Sequence, residues 1–394
     1  MNTIKHTFSA DGFKAHLQER ILPFWNALRD DTYGGFYGKV SKMLDLRTQA
    51  DKGCILQSRI MWFYSNAYIA LGDDALLANA RHAYDFITKY CMDSESGGIY
   101  WSVAFDGSPA DTTKHTYNQA FAIYALSSYY AASGDRDALE LAYRMMELIE
   151  SKCTDDGGYL EAFDRGWVPA SNEKLSENGV IAMRTMNTLL HVMEAYTELL
   201  RVDGSAAVAD KLRDILTVIS ARVYNPEKRR LEVFFDLDMN PIIDLHSYGH
   251  DIEAAWLIGR ACSVLGDSAP DSITAITQAL EDNILSLAFT DGALDNECCE
   301  GEVNRWRMWW VQAEAMVGFV NAWRGRPERS DFLAAAQSIW DFVQKYLIDT
   351  RDGSEWFWQV APDGTPDPTK YLAGEWKCPY HNGRMCLQLM QWLK

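Results

Sequence analysis

The chain has only eight histidines in 394 residues, and their neighbours sort them. His250 is followed three positions later by Glu253, and His381 by Arg384 at the same interval. Side chains so spaced share one face of a helix. An imidazole, which exchanges protons near neutral pH, would then stand beside a charged group able to tune it. Asn187, His191 and Glu194 form a similar row at i, i+4 and i+7. Three other apolar stretches open with polar or aromatic groups: Arg59 in one, His115 and Tyr117 in the next, and Trp309, Trp310, Gln312 and Glu314 in the third. Polar groups are costly to bury unless paired or used. From Arg59 through Tyr117, Asn187, His250 and Trp310 to His381 the intervals are 58, 70, 63, 60 and 71 residues. One polar set per interval, in phase, points to a single central cavity with His250 and His381 as its proton-transfer groups. His115 and His191 stand open between core and site, and His6, His16 and His82 read as surface residues.

Tryptophans gather where these intervals end. Trp306, Trp309, Trp310, Trp356, Trp358 and Trp376 fall in the last two. Flat amphipathic rings suit the apolar C–H faces of a sugar, and Trp376, just before Pro379-Tyr380-His381, is the strongest platform. Trp340 reads as core. Two rival chemistries are weaker. His246, His250 and Glu253 have a metal-ligand spacing, but Asp244-Leu245 and Gly249 start the helix after His246, so the two histidines share no face and no metal is expected. Glu253 and Glu314 would suit a glycosidase, which would leave two well-placed histidines without a role.

The elements that hold these groups form a repeat. A turn followed by a short β-prone run recurs at Gly34-Gly35-Phe36-Tyr37, Gly97-Gly98-Ile99-Tyr100-Trp101 and Gly157-Gly158-Tyr159-Leu160, with weaker copies at Arg230-Leu231, Gly292-Ala293-Leu294 and Gly353-Ser354-Glu355-Trp356. Markers at Gly35, Gly98, Gly158, Leu231, Gly292 and Gly353 are 63, 60, 73, 61 and 61 residues apart. An amphipathic helical pattern precedes each marker. A second helical pattern, mostly apolar on every side and therefore buried, follows near Ser58, His115, Arg184, Tyr248, Arg305 and Pro379. Polar turns such as Gly72-Asp73-Asp74 and Gly134-Asp135-Arg136-Asp137 join inner to outer helices. Six of each predict an all-α (α/α)6 barrel, one catalytic domain over residues 1–394, with short β-hairpins at one mouth. An open solenoid is the alternative.

Composition narrows the partners. The net charge is −18 and basic residues form no cluster, which argues against nucleic acid and anionic membrane. No apolar run is long enough to span a bilayer, and the opening MNTIKHTFSADGF lacks the apolar core of a secretion signal. Eight cysteines without a CxxC pair read as reduced and mostly core. A cytoplasmic location follows, and a ring that closes on itself needs no partner, so a monomer is expected.

The segments Lys52–Tyr64 (KGCILQSRIMWFY), Lys114–Phe121 (KHTYNQAF), Met186–His191 (MNTLLH), Ser247–Glu253 (SYGHDIE), Trp309–Glu314 (WWVQAE) and Trp376–Arg384 (WKCPYHNGR) together resemble the N-acylglucosamine 2-epimerase superfamily, and within it the branch acting on cellobiose. The resemblance spans essentially the whole chain. It implies a metal-free, cofactor-free sugar isomerase with His250 and His381 as the acid–base pair, and Arg59, Tyr117, Asn187, His191, Glu253, Trp310, Glu314 and Trp376 as binding or supporting residues. No phosphate-binding GxxxxGK[ST] loop is present. The implied reaction inverts carbon 2 of a reducing-end glucose unit. The ring opens, one histidine takes the C2 proton, a cis-enediolate forms, and the other returns a proton to the opposite face. Glu253 would orient His250, Arg59, Tyr117 and Asn187 would stabilise the enediolate, and Trp310 and Trp376 would hold the sugar. Mannose isomerisation, N-acetylglucosamine epimerisation, glycoside hydrolysis and non-catalytic sugar binding are the alternatives.

Overall fold

The computed structural model describes residues 5–266 and 272–394; Met1–Ile4, part of the N-terminal stretch read above, lie outside them. Among the described residues twelve helices alternate between an outer and an inner ring. The outer helices are α1 (Ala10–His16, running on through Leu17–Ile21 and Leu22–Asn26), α3 (Asp74–Phe86 and Ile87–Cys91), α5 (Arg136–Lys152), α7 (Ala206–Val218 and Ile219–Val223), α9 (Ile273–Leu287) and α11 (Ser330–Phe342 and Val343–Leu347). The inner helices are α2 (Cys54–Leu71), α4 (Thr116–Ser133), α6 (Met186–Asp203), α8 (Tyr248–Leu265), α10 (Trp309–Gly325) and α12 (His381–Trp392). Each inner helix packs against the next, and α12 returns to α2 and carries α1 on its outer side. The ring is closed, an (α/α)6 barrel. The inner helices α2 and α10 start at Cys54 and Trp309, four residues from the starts read in the sequence.

The inner-to-outer turns follow their residues. α2 and α4 end on Gly72 and Gly134, at φ +71° and +73°, where an added β-carbon would meet nothing within 4 Å. The left-handed backbone alone calls for glycine there. Asp73 and Asp135 then cap α3 and α5, accepting from the N–H of Ala75 and Asp137.

Short strands stitch neighbouring repeats. The segment leading into each inner helix pairs antiparallel with the next repeat: Lys52–Gly53 with Ser102–Val103, Lys114–His115 with Ala162–Phe163, Arg184–Thr185 with Phe234–Phe235, Leu245–Ser247 with Glu297–Cys299, and Arg307–Met308 with Gln359–Val360. A bridge between Val40 and Ala373 closes the circle.

Two devices recur in these joints. Two residues before five of the inner helices stands a nitrogen base or cation paired with a carboxylate: Lys52 with Asp30 (2.6 Å), Lys114 with Asp93 (3.1 Å), Arg184 with Asp155 (2.5 Å), His246 with Asp251 (2.8 Å) and Arg307 with Asp295 (2.5 Å). Lys377 pairs with Glu355 in the sixth repeat. Near the start of the helix a side chain then clamps the hairpin backbone. The amides of Gln57, Gln119 and Gln312 each accept from and donate to one residue, Phe36, Ile99 and Leu294 respectively. Asp251 accepts from Leu231 N at 3.2 Å. Gln312, read in the sequence with the functional groups, is thus a structural clamp.

The N-terminal histidines are not surface residues. His6 and His16 are buried. Trp356 Nε1 donates to His16 Nε2 at 2.8 Å, Trp340 Nε1 donates to the carbonyl of His6 at 2.9 Å, and the two imidazoles meet edge-on. The polar sequence around His16 is the solvent side of α1; His16 lies on the other side, against Trp340 of α11, and His6, ahead of the helix, packs onto it there. His82 is half-buried against the carbonyl of Gly35.

Candidate functional site

The starts of the inner helices surround a cavity of about 200 Å3 whose walls include Arg59, Tyr117, Asn187, His191, His250, Glu253, Trp310, Trp376 and His381. Nine of the ten site residues expected from the sequence therefore meet in one place. Glu314, the tenth, lies behind His381. His115 does not line the cavity: its ring packs against Trp101 at 4.6 Å, and burial, with Lys174 nearby, lowers its pKa to about 4.

His250 and His381 flank one indole. The Trp310 ring centroid is 4.8 Å from that of His250 and 5.5 Å from that of His381. Trp310 reaches this position because residue 249 is glycine: a β-carbon there would fall 2.5 Å from the indole. Burial lowers His250 to about 3, and burial reinforced by Arg384 holds His381 well below the usual histidine range. Both rings are neutral at neutral pH, in place of the charged and neutral mixture that free histidine would present.

For neutral rings, the partner of Nδ1 decides which nitrogen carries the proton. His381 Nδ1 lies 2.8 Å from Glu314 Oε1. A carboxylate accepts, so Nδ1–H donates and Nε2 keeps a free lone pair. His250 Nδ1 lies 2.7 Å from Ser247 Oγ, which can donate or accept. With the hydroxyl donating, His250 carries its proton on Nε2. The expectation that Glu253 orients His250 is corrected. Glu253 reaches instead to Arg384, with Oε1 3.9 Å from His381 Nδ1. It shares a helix with His250, but the nearest buried cation lies on α12.

Arg384 is the hub of the floor. Its guanidinium binds Glu194 Oε1 at 2.5 Å, Glu314 Oε1 at 2.7 Å, Glu253 Oε1 and the Tyr380 hydroxyl. Glu194 also accepts from Tyr380 at 2.6 Å and pairs with His191 Nδ1 at 2.8 Å. Burial alone would raise Glu194, yet Arg384 and His191 hold it at about 2. One guanidinium does not neutralise three carboxylates. Burial, then the charge of Glu314, push Glu253 up to about 7. Glu253, Glu314 and His381 also form a set whose donor atoms lie within 4.8 Å of one another, close enough for a metal ion. Arg384 already contacts both carboxylates of that set, so a guanidinium supplies the positive charge there.

The opposite wall is a row of hydrogen-bond donors and aromatic faces. Arg59 Nη2 donates to the Tyr117 hydroxyl at 2.8 Å, and its guanidinium stacks 4.2 Å from the Phe121 ring centre. The Tyr117 ring meets His191 edge-on and stands 6.0 Å from Trp376. The buried indole N–H groups of Trp309 and Trp358 and the amide oxygen of Asn187 have no protein partner among the described residues, and these side chains border the cavity. The long interval between the third and fourth markers is spent on residues 164–183, which bring Lys174, Leu175 and Glu177 to the mouth. Ser247, Tyr380 and the hub role of Arg384 were missed in the sequence. Ser247 lies three residues before His250, and that spacing was the available signal.

Donors without partners, indole walls and paired imidazoles at the mouth of a closed helical ring define an (α/α)6 barrel built to hold a polyhydroxylated molecule. The chain belongs to the N-acylglucosamine 2-epimerase family, which it matches over residues 35–383. It is 54% identical to a cellobiose 2-epimerase of Ruminococcus albus, over 96% of this chain and 97% of that one. A sugar epimerase from a ruminal bacterium superposes with a TM-score of 0.95 at 53% identity, over 97% and 98% of the two chains. The cellobiose 2-epimerase of Bacillus thermoamylovorans superposes at 0.94 with 43% identity, again over 97% and 98%.

Proposed function

We propose that this protein is a sugar 2-epimerase that interconverts the glucose and mannose forms of the reducing-end unit of cellobiose and related β-1,4-linked disaccharides. The observation that carries the reading is the packing of both imidazoles against Trp310, which sets two proton-transfer groups around one cavity. Inversion at carbon 2 needs a base on one face and an acid on the other.

The ring opens first, since the C2 proton is acidic only beside the carbon 1 aldehyde. His381 Nε2 takes that proton. The resulting imidazolium is stabilised by Glu314, whose carboxylate already holds Nδ1–H. Negative charge develops on O1 and O2, where Arg59, Tyr117 and Asn187 supply donors. His250 delivers its Nε2 proton to the other face while a solvent proton, relayed through the Ser247 hydroxyl, arrives on Nδ1, so that ring stays neutral; His381 then releases the proton it took to solvent. In the reverse direction the two histidines exchange roles. Each positioned transfer is worth about 10²–10⁴-fold. Trp310 and Trp376 hold the sugar faces, and the loop at residues 164–183 walls the second glucose unit.

The reading extends to a monomeric, cytoplasmic, single-domain enzyme working without a metal. It is supported by unpaired cysteines among the described residues, by a ring that closes on itself, and by the contacts of Arg384 with the two carboxylates of the candidate metal set. No helix among the described residues is long and apolar enough to cross a membrane. The test is incubation with cellobiose in D2O containing a chelator. A glucosyl-mannose product carrying deuterium at C2 is expected. Free glucose, a ketose as sole product, or no turnover would refute the assignment.

A further inference from the structure

A second cavity, of about 280 Å3, shares no lining residue with the catalytic one and lies between α5, α7 and the hairpin at residues 154–159. It exists because the third repeat departs from the pattern of the others. Leu189 stands where Gln57, Gln119 and Gln312 clamp their hairpins, and the clamp is reversed: Glu161, from the hairpin, accepts from Thr185 N and Thr188 Oγ1 at 2.6 Å each. The hairpin residue that the clamp would hold is Tyr159. Its counterparts Phe36, Ile99, Leu231, Leu294 and Trp356 are all buried in the core. Tyr159 is only part-buried and turns its hydroxyl to Glu150 Oε1 on α5, 2.8 Å away.

Arg184, the joint cation of this repeat, is 4% exposed and lines the cavity. Its Nη2 is paired with Asp155 and its Nε donates to the carbonyl of Leu237, but Nη1 is buried with no partner among the described residues. A buried N–H of this kind calls for an acceptor. The surroundings decide which kind. Arg184 is already neutralised by Asp155 and Lys211 by Glu150 at 2.8 Å, and the exposed Asp214 at the rim adds its negative charge beside Lys211. An incoming anion would meet three carboxylates and, among the described residues, no free cation. A neutral, oxygen-rich ligand with apolar faces fits both the lone donor and the side chains of Tyr159, Ile215, Val218 and Phe235 around it.

We propose that the third repeat carries an accessory saccharide site, in which one pyranose unit lies in this cavity with a ring or hydroxyl oxygen on Arg184 Nη1. The site is independent of the catalytic cavity. Methyl β-cellobioside is a suitable probe, because it has no free reducing end and cannot be epimerised. Titrated into the full-length protein, it is expected to show two binding events per chain. Val218→Trp, which fills the cavity from α7, is expected to lose one event, keep the other and keep cellobiose turnover. Leu189→Gln, which restores the clamp and draws the hairpin inward, should do the same and serves if the tryptophan variant folds poorly. A single event in the unmodified protein, or two events persisting in both variants, overturns the proposal. Neither result depends on whether the enzyme epimerises cellobiose.

Discussion

Arg384 and Glu194 stand 190 positions apart in the chain and meet at 2.5 Å on the floor of the barrel. Neither side chain is more than 2% exposed. The pair ties α12 to α6 across the ring and anchors the fork that also holds Glu253 and Glu314. Arg384→Met leaves these carboxylates buried without their cation, and a loss of about 3–5 kcal/mol of stability is expected. Arg384→Lys keeps the charge but loses the fork, so it should fold with a lower melting temperature and reduced turnover. Thermal unfolding of both variants checks this, and an unchanged melting temperature for Arg384→Met would contradict it.

Replacing either histidine separates the two faces of the reaction. His250→Asn and His381→Asn should each lose interconversion by at least about 10²-fold. Each variant should still wash deuterium into C2 of the one epimer whose base remains. Proton NMR of both epimers in D2O reads this directly. Equal wash-in from both epimers in a single variant would show one base serving both faces.

Ser247→Ala removes the hydrogen bond between the Ser247 hydroxyl and His250 Nδ1. A net hydrogen bond of about 1 kcal/mol corresponds to a roughly fivefold effect. It should fall on kcat, since Ser247 sets a tautomer, and leave KM unchanged. A change in KM with kcat intact would place Ser247 in binding instead.

Acid sensitivity should have a source far from the cavity. Burial, helped by His6 and Arg20, lowers His16 to about 3. Below pH 6.5 the unfolded chain binds a proton that folded His16 refuses, so stability is full above 6.5 and falls as the pH drops toward 3. One such group contributes a slope approaching about 1.4 kcal/mol per pH unit. His16→Gln, which keeps an acceptor for Trp356, should flatten the slope by one proton. His115 and His250 are depressed likewise and keep part of it. Denaturant titrations across that range measure the difference.

The buried pairs at the repeat joints should be more sensitive than surface pairs. Lys114 and Asp93 are both fully buried. Lys114→Ala leaves Asp93 to Arg165 and the N–H groups of Glu95 and Ser96, without its fully buried cation, and should cost several kcal/mol, on the order of 3. Arg81→Ala, breaking the exposed pair with Asp85, should cost under about 0.5 kcal/mol. Chemical denaturation of the two variants compares them, and equal losses would refute the distinction.

Much of this architecture can be read from periodicity. The sixty-residue recurrence, the helices apolar on every side and the Gly-Asp turns all concern residues near one another in the chain, where backbone geometry translates spacing into position. The in-phase polar starts located the cavity for the same reason. His16 was misread because the sequence around it is polar, and only the return of α11 against α1 shows which side of that helix is covered. Gln312 was misread because a buried amide that clamps a hairpin has the same residue type and spacing as one that binds a ligand.

The sequence by itself determined the ring of helix pairs and the residues offered at its centre, because helical spacing and all-round apolarity leave few other ways to bury those surfaces. Tertiary structure alone decided which group serves which. Glu314 holds His381 across 67 positions, and Glu253 turns to Arg384 across 131. Both pairings join different helices, and the distances between them are set by closure of the ring, to which no local pattern in the chain responds.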